Sequence, residues 1–193
     1  YYDCTNYYFE IEEESGIKRY GKSKEHRPNP IVTMGLFMDA DGIPLAFDLF
    51  PGNQNEQTTL KPLESRILQD FGCSEFVFCS DAGLGSASNR RFNSLGSRAY
   101  VITHSLKKMK QEDRDIALNP AQFRKVGSGR FIDLRSLNEK DEDVFNSIYY
   151  KEVPLVTGSM DETLIVTYSP KYKAYQRKIR ARQIERAKKI LET

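Results

Sequence analysis

Two aspartates, Asp3 and Asp81, each lie beside an apolar segment of the kind that forms a buried strand. Asp3 follows Tyr1-Tyr2 near the start of the chain, and Asp81 closes the segment that begins at Phe76. A carboxylate among apolar strand residues has a large desolvation cost unless it is paired or binds a metal. If the two strands are neighbours, their carboxylates converge and repel, and a cation must offset that repulsion. Magnesium prefers such oxygen ligands, so we predict a metal site here; the alternative is that each aspartate caps a turn.

A second acidic motif, Asp39-Ala40-Asp41-Gly42, follows an apolar segment at 36–38. It resembles the aspartyl-phosphate motif of haloacid-dehalogenase phosphatases, in which Asp39 would be the nucleophile and Asp41 the general acid. That family requires a parallel sheet with a helix after the strand, whereas another apolar segment follows here at hairpin distance. An Asp-Gly pair between apolar segments favours a hairpin. We therefore predict that Asp39 and Asp41 lie in an exposed hairpin turn.

Basic residues are concentrated in a loop at 18–27 and in the last part of the chain. The 193 residues carry 29 Lys and Arg against 27 Asp and Glu. Residues 170–193 hold nine basic and two acidic side chains, a net +7, and the rest hold 20 basic and 25 acidic, a net −5. A basic segment on a mildly acidic body indicates a polyanionic partner. The expected phosphate-contacting residues are Lys22, Lys24 and Arg27 in the loop, and Arg177, Lys178, Arg180, Arg182 and Arg186 near the end.

The elements that must position these residues begin with three strands. Apolar segments at 7–11, 31–38 and 43–50 predict three successive antiparallel strands. Apolar residues then recur at helical spacing as far as Phe71. That spacing predicts a helix, capped by Thr58 or Thr59 and ended by Gly72 in a left-handed conformation.

The next segments complete a β-β-β-α-β-α-β order over residues 1–104. The segment 76–80 is short and apolar, which predicts a strand buried on both faces and parallel to a neighbour. Ser86 or Ser88 is expected to cap a short helix through Leu95, and 99–103 is expected to form a fifth strand. Residues 105–193 differ in composition, with a β-rich region followed by one long basic helix at 171–191. The sequence thus predicts an α/β (α+β) protein with domains at 1–104 and 105–193.

Composition excludes several classes of protein. Apolar residues make up 39% and aromatics 11%, enough for a buried core, and no run of 18 apolar residues exists to span a membrane. The three cysteines lack a CxxC spacing and there are two histidines, which argues against a zinc site or a disulfide framework and fits a reducing cytoplasm. The first residue is Tyr rather than Met, and we expect the chain to be a piece of a longer protein.

Several motifs of residues 1–104 resemble those of the DDE transposases of bacterial insertion sequences. Tyr2-Asp3-Cys4-Thr5 is similar to that family's first motif, a strand with Asp-x-Thr, and Ser80-Asp81-Ala82-Gly83 is similar to its second. Between them, the stretches 21–28, 35–45 and 50–60 follow the family pattern in the same order. The likeness is weaker over 105–193, which corresponds to the family's insertion region.

The resemblance implies a ribonuclease H-like catalytic core with a β-rich insertion. It implies that the parent protein is cytoplasmic and bacterial or archaeal, and that it cuts transposon-end DNA and joins it to target DNA by two-metal phosphoryl transfer. Asp3 would bridge two Mg²⁺ or Mn²⁺ ions and Asp81 would hold one of them. A homodimer is a further expectation for the full-length protein.

One departure from the family pattern is serious. The third acid of the family is a Glu in the pattern Tyr-x2-Arg-x3-Glu-x6-Lys, and neither Glu185 nor Glu192 has the Arg four residues before it. We therefore expect the chain to stop before the last helix of the core and to be inactive alone, with weak or no metal binding. A catalytically silent nucleic-acid-binding or assembly module is the alternative, and the phosphatase is a third.

Overall fold

The computed structural model describes residues 1–72, 75–158 and 160–191, without the side chain of Thr157. The chain divides into two compact units, Tyr1–Ser105 and Leu106–Thr193. Helices occur together with parallel and antiparallel strands, so the α/β (α+β) class is confirmed. None of the described helices is both long enough and apolar enough to cross a membrane.

The described residues of the first unit, 1–72 and 75–105, form five strands and two α-helices. The strands are β1 (Tyr2–Tyr8), β2 (Ile31–Met38), β3 (Pro44–Pro51), β4 (Val77–Ser80) and β5 (Ala99–Ile102). The helices are α1 (Leu60–Phe71), which follows a 3-10 turn at Glu56–Thr58, and α2 (Ala87–Phe92). The expected order β-β-β-α-β-α-β is confirmed.

Two hydrogen-bonded sheets form in this unit. The strands β1, β2 and β3 pair antiparallel in that order, and β4 pairs with β5 in parallel. The strands β1 and β4 are in contact. The expected antiparallel start and the expected parallel partner of β4 are therefore confirmed.

Two local predictions were wrong, and a third is confirmed only in part. The first strand ends at Tyr8 rather than at residue 11: the Phe9 N–H still donates to the Pro30 carbonyl in the same register, but Pro30 has no N–H with which to continue the ladder. Val77 of β4 is 58% exposed, so that strand is not buried on both faces. Thr59 occupies the predicted N-cap position of α1, but its side chain makes no capping hydrogen bond; Asn55 caps the preceding 3-10 turn by accepting from the Gln57 N–H.

Two helix ends follow the predicted chemistry. Gly72 ends α1 with φ of 61°, the left-handed conformation that glycine adopts at least cost. Ser86 caps α2 by accepting a hydrogen bond from the Asn89 N–H. The Thr59 hydroxyl instead bonds Tyr2 in the core, at 2.6 Å between the two oxygens.

The core of the first unit lies between the β1–β2 hairpin, α1 and β4. Alternate residues of β1, Tyr2 and Cys4, are buried against α1 and Phe78. Tyr2 also stacks on Phe37, with ring centroids 4.5 Å apart. Because side chains alternate along a strand, the residues of β1 between these two must face the other side of the sheet.

Glu64 is a buried acid on α1 that bonds Asn93 at the end of α2. Glu64 is 1% exposed, and Asn93 Nδ2 donates to Glu64 Oε2 at 3.1 Å. Glu64 Oε1 and Asn93 Oδ1 have no hydrogen-bond partner in the described part of the chain. Burial raises the pKa of Glu64, against the opposing effects of Asn93, Arg98 and Lys61. A protonated Glu64 has an O–H group that can donate, and the nearby acceptor Asn93 Oδ1 has no described donor. This arrangement favours the neutral acid.

We expect Glu64→Gln to remove part of the pH dependence of the free energy of unfolding. Folded Glu64 binds its proton more tightly than the unfolded chain does. Its stabilising contribution is therefore present below the ordinary pKa of 4.5 and is lost as pH rises through the raised folded value. Glutamine stays neutral, so the variant should gain stability relative to the native protein as pH rises above the ordinary value of 4.5. Urea unfolding measures this, with the exposed Glu13→Gln as control; parallel profiles for all three proteins would contradict it.

The described residues of the second unit form four strands, three α-helices and two short 3-10 helices, Leu106–Lys108 and Leu134–Ser136. Its strands are β6 (Phe123–Lys125), β7 (Phe131–Ile132), β8 (Tyr149–Thr157) and β9 (Met160–Tyr168), in the sheet order β7-β6-β8-β9. Its helices are α3 (Gln111–Leu118), α4 (Glu142–Asn146) and α5 (Pro170–Leu191). The long basic helix expected at 171–191 is confirmed, whereas α3 and α4 were not predicted because their charged segments lack an apolar period.

Candidate active site

Asp3 lies on β1, on the face of the sheet opposite the core. Its neighbours Tyr2 and Cys4 are buried, and Asp3 is exposed. Asp3 Oδ1 accepts a hydrogen bond from the Cys4 N–H at 2.8 Å. The described residues offer Oδ2 no hydrogen bond or ion pair, so one hard oxygen donor stays open to solvent.

Asp81 directly follows β4 and begins a tight turn. Asp81 Oδ1 accepts from the Gly83 N–H at 2.9 Å, and its main-chain oxygen accepts from the Leu84 N–H at 3.4 Å. A Cβ at position 83 would lie 3.1 Å from Asp81 Oδ1, so glycine leaves room for the carboxylate. Asp81 is exposed, and no described ion pair involves it.

The strands that carry Asp3 and Asp81 are in contact, which a shared site requires. Each carboxylate keeps an oxygen free of protein hydrogen bonds, and such oxygens fit Mg²⁺ or Mn²⁺. Two carboxylates are fewer than the three of the family pattern. Among the described residues, no cluster of three or more His, Cys, Asp or Glu side chains could hold a metal.

The basic loop is attached to β1 by one amide side chain. Asn6 Nδ2 donates to the Lys22 carbonyl at 3.4 Å, and Asn6 Oδ1 accepts from the Lys24 N–H at 3.0 Å. The Lys24 ammonium donates to the main-chain carbonyl of Cys4, the residue after Asp3. The sequence-predicted residue Lys24 is therefore held beside the strand that carries Asp3.

The remainder of the loop is shaped by Ser23 and Arg27. Ser23 is 7% exposed, and its hydroxyl accepts from the backbone N–H groups of Glu25 and Arg27 at 3.2 and 3.3 Å. The Arg27 guanidinium lies 4.8 Å from the ring centroid of Tyr8 and 3.7 Å from a Glu25 carboxylate oxygen. Lys22 makes no described side-chain contact, so its ammonium is available to a ligand.

A cavity of about 630 Å³ lies beside the basic loop and the turn after β3, both of which line it. Its walls come from the loop, the end of β1, the turn 52–56 and Gly83, which follows Asp81 by two residues. A Cβ on Gly21 would lie 2.0 Å from the Gly52 carbonyl oxygen, so two glycines allow these backbones to approach. The sequence signals for this wall, Gly21 and Pro51-Gly52-Asn53, were present, but nothing local indicated a cavity.

Asp39 and Asp41 lie in a hairpin turn between the antiparallel strands β2 and β3. Asp39 Oδ1 accepts from the backbone N–H groups of Asp41 and Ile43, at 2.9 and 2.8 Å. Gly42 has φ of 82°. The phosphatase alternative requires a parallel strand that ends at Asp39 and then a helix, whereas here β3 folds straight back on β2.

The five basic residues expected near the end of the chain all lie exposed on α5. Lys178, Arg182 and Arg186 are spaced by four residues, which places them on one face of the helix. The start of the helix is anchored by Lys173, whose ammonium lies 2.6 Å from a Glu139 carboxylate oxygen and lowers the pKa of Glu139.

Comparisons with protein-family models, with curated proteins and with solved structures find no match to this chain. The class of this protein has to be inferred from its residues and their geometry.

Proposed function

We propose that residues 1–105 belong to the ribonuclease H-like core of a DDE-type DNA transposase. The observation that carries the proposal is the pair Asp3 and Asp81. These exposed carboxylates belong to two strands that are in contact, and each keeps a free oxygen. The motifs around both aspartates resemble the first two motifs of that family.

The order of the strands supports the same proposal. Three antiparallel strands are followed by α1, then by β4, α2 and β5, with β4 and β5 parallel. The strand β1 of the antiparallel sheet is in contact with β4 of the parallel pair. A site shared by Asp3 and Asp81 would therefore lie where the two sheets meet. Asp81 follows the carboxyl end of β4, and open α/β sheets commonly bind ligands at the carboxyl ends of their strands.

In this proposal Asp3 and Asp81 hold divalent cations against a DNA phosphate. When bound, two such ions activate the attacking water or 3′-hydroxyl and stabilise the leaving oxygen. The protein's own contribution is to hold the carboxylates on neighbouring strands and to keep Lys24 and Lys22 close to the phosphate path. The exposed basic face of α5 provides further phosphate contacts, whose affinity falls steeply with salt.

The face of the sheet that bears Asp3 leaves room for a third acid. Leu45, Phe47 and Leu49 of β3 are 37, 60 and 46% exposed on it. A sheet face with such apolar side chains is stabilised when another element covers it. The proposal is that a helix bearing the third acid packs there in the whole protein.

The test is Mg²⁺-dependent nicking of DNA by the 193-residue chain and by a longer form that includes a downstream acidic helix. We expect no cleavage by the 193 residues, because Mg²⁺ needs nearly ideal octahedral geometry and binds weakly to an incomplete ligand set. We expect cleavage by the longer form. DNA binding without cleavage by both forms would favour the alternative, a silent nucleic-acid-binding module built around α5.

A further inference from the structure

The cavity beside Asp81 is lined mainly by polar and charged residues, and the proposed metal ligands Asp3 and Asp81 are not among them. Its volume of about 630 Å³ lies within the range of small-molecule sites. Unlike most such sites, its described lining contains no Phe, Tyr or Trp and no large aliphatic side chain. An apolar ligand would gain little there, so the cavity suits a polar and charged one.

The charge of the lining favours an anion. Lys22, Lys24 and His26 line one wall, and Glu56 is the single acidic residue among the described lining residues. Lys22 makes no described side-chain contact, whereas the Lys24 ammonium is bonded to the Cys4 carbonyl. Lys22 is therefore the cation most available for a phosphate group, for which lysine acts as a point charge.

The opposite wall carries amide side chains with unused hydrogen-bonding groups. Asn53 makes no side-chain hydrogen bond among the described residues, and Gln54 uses only its Nε2, which donates to the Thr58 hydroxyl at 3.2 Å. The Asn55 oxygen is occupied by the Gln57 N–H. Asn53, which lines the cavity, thus has both an amide donor and a carbonyl acceptor without a described partner, the pair that binds the N6 and N7 edge of adenine.

We propose that this cavity binds one deoxynucleotide of a DNA strand, with its phosphate at Lys22 and an adenine edge at Asn53. The proposal rests on the proposed function, since it places this nucleotide beside the strand end where Asp81 would act. Gly83 links the two sites, because it lines the cavity and also donates its N–H to Asp81 Oδ1. The amide of Asn53 would select the base by hydrogen bonds, since a ring such as that of His26 stacks on any base without selecting one.

The experiment titrates the 193-residue chain with 5′-dAMP, dCMP and inorganic phosphate, without metal, and follows amide signals by NMR. We expect dAMP to shift the side-chain amide signals of Asn53 and the backbone signals of residues 22–26 and Gly83. We expect dAMP to bind about tenfold more tightly than dCMP or phosphate, since only adenine forms the bidentate pair with an asparagine amide.

Two variants separate the two halves of the site. Lys22→Ala should weaken dAMP and phosphate alike, by about tenfold for a lost charge-assisted hydrogen bond. Asn53→Ala should reduce dAMP affinity to that of phosphate and leave phosphate binding unchanged. The controls are Lys107→Ala and Gln69→Ala, an exposed lysine and an exposed side-chain amide outside the cavity.

The outcomes separate this inference from the proposed function. Equal binding of phosphate and dAMP, or equal effects of Asn53→Ala and Gln69→Ala, would overturn the nucleotide site whatever the cleavage assay gives. Selective dAMP binding at Asn53 supports the site even if the longer form of the protein cleaves no DNA, a result that would overturn only the proposed function.

Discussion

Asp3→Asn and Asp81→Asn are each expected to abolish Mg²⁺-dependent DNA cleavage by a form of the protein that includes the third acid. A metal ion contributes several kcal/mol of transition-state stabilisation, and losing one of its carboxylate ligands should lower the rate by about 10³-fold or more. DNA binding should change little, because the exposed lysines and arginines that contact phosphates are unchanged.

Both substitutions should leave the fold intact. Asp3 Oδ1 accepts from the Cys4 N–H and Asp81 Oδ1 from the Gly83 N–H, and an asparagine oxygen accepts the same hydrogen bonds. A loss of activity with unchanged thermal unfolding therefore reports the charge and the metal rather than the structure.

Asp39→Asn is the matched control. Its carboxylate also accepts backbone N–H groups, in an exposed turn between β2 and β3. This variant should cleave DNA at the native rate. If the native protein had phosphatase activity and Asp39→Asn abolished it, the phosphatase alternative would be favoured despite the hairpin geometry. Full cleavage by the Asp81→Asn variant would show that the site is elsewhere.

Gly52→Ala is expected to destabilise the first unit by about 3 kcal/mol, at the upper end of the usual cost of overpacking. Gly52 is buried, and a Cβ there would lie 2.1 Å from the Ile31 carbonyl oxygen and 2.5 Å from that of Arg19. Both are backbone atoms, and the backbones of Arg19 and Ile31 also bond each other at 2.8 and 3.0 Å. The methyl group can therefore be accommodated only by separating the turn from β2.

Chemical denaturation with separate probes of the two units measures this loss. Gly129→Ala is the matched control, because a Cβ at position 129 meets no atom within 4 Å and its φ is not in the left-handed region. We expect the control to change the free energy of unfolding by less than about 0.5 kcal/mol. Equal stabilities of the two variants would mean that the close approach of Gly52 to β2 does not exist in solution.

Short-range features of this chain followed from the sequence because they depend on residues close together in it. The Asp39–Gly42 turn, the left-handed end of α1 at Gly72 and the cap of α2 at Ser86 each involve a local hydrogen bond or a local φ angle. The long helix α5 was also predictable, since one uninterrupted stretch free of internal Gly and Pro forms it. The two aspartates were singled out for a similar reason, as charges next to apolar strand segments.

The arrangement of these pieces depended on contacts between residues far apart in the chain. Asp3 and Asp81 are 78 positions apart, and only the contact between β1 and β4 brings their strands together. The exposure of Val77 and the pairing of Glu64 with Asn93 likewise depend on which faces of β4, α1 and α2 are covered.

The cavity is the clearest example of a feature that depends on contacts between distant parts of the chain. Its walls come from β1, the basic loop, the turn after β3 and the turn after β4, and each segment alone is an ordinary polar loop or strand end. A sequence pattern records the preferences of neighbouring residues, whereas burial and close approach are set by the whole packed unit. The sequence by itself therefore determined which charged residues are available for a site. The tertiary structure determined that Lys22, Asn53 and Gly83 line the same cavity.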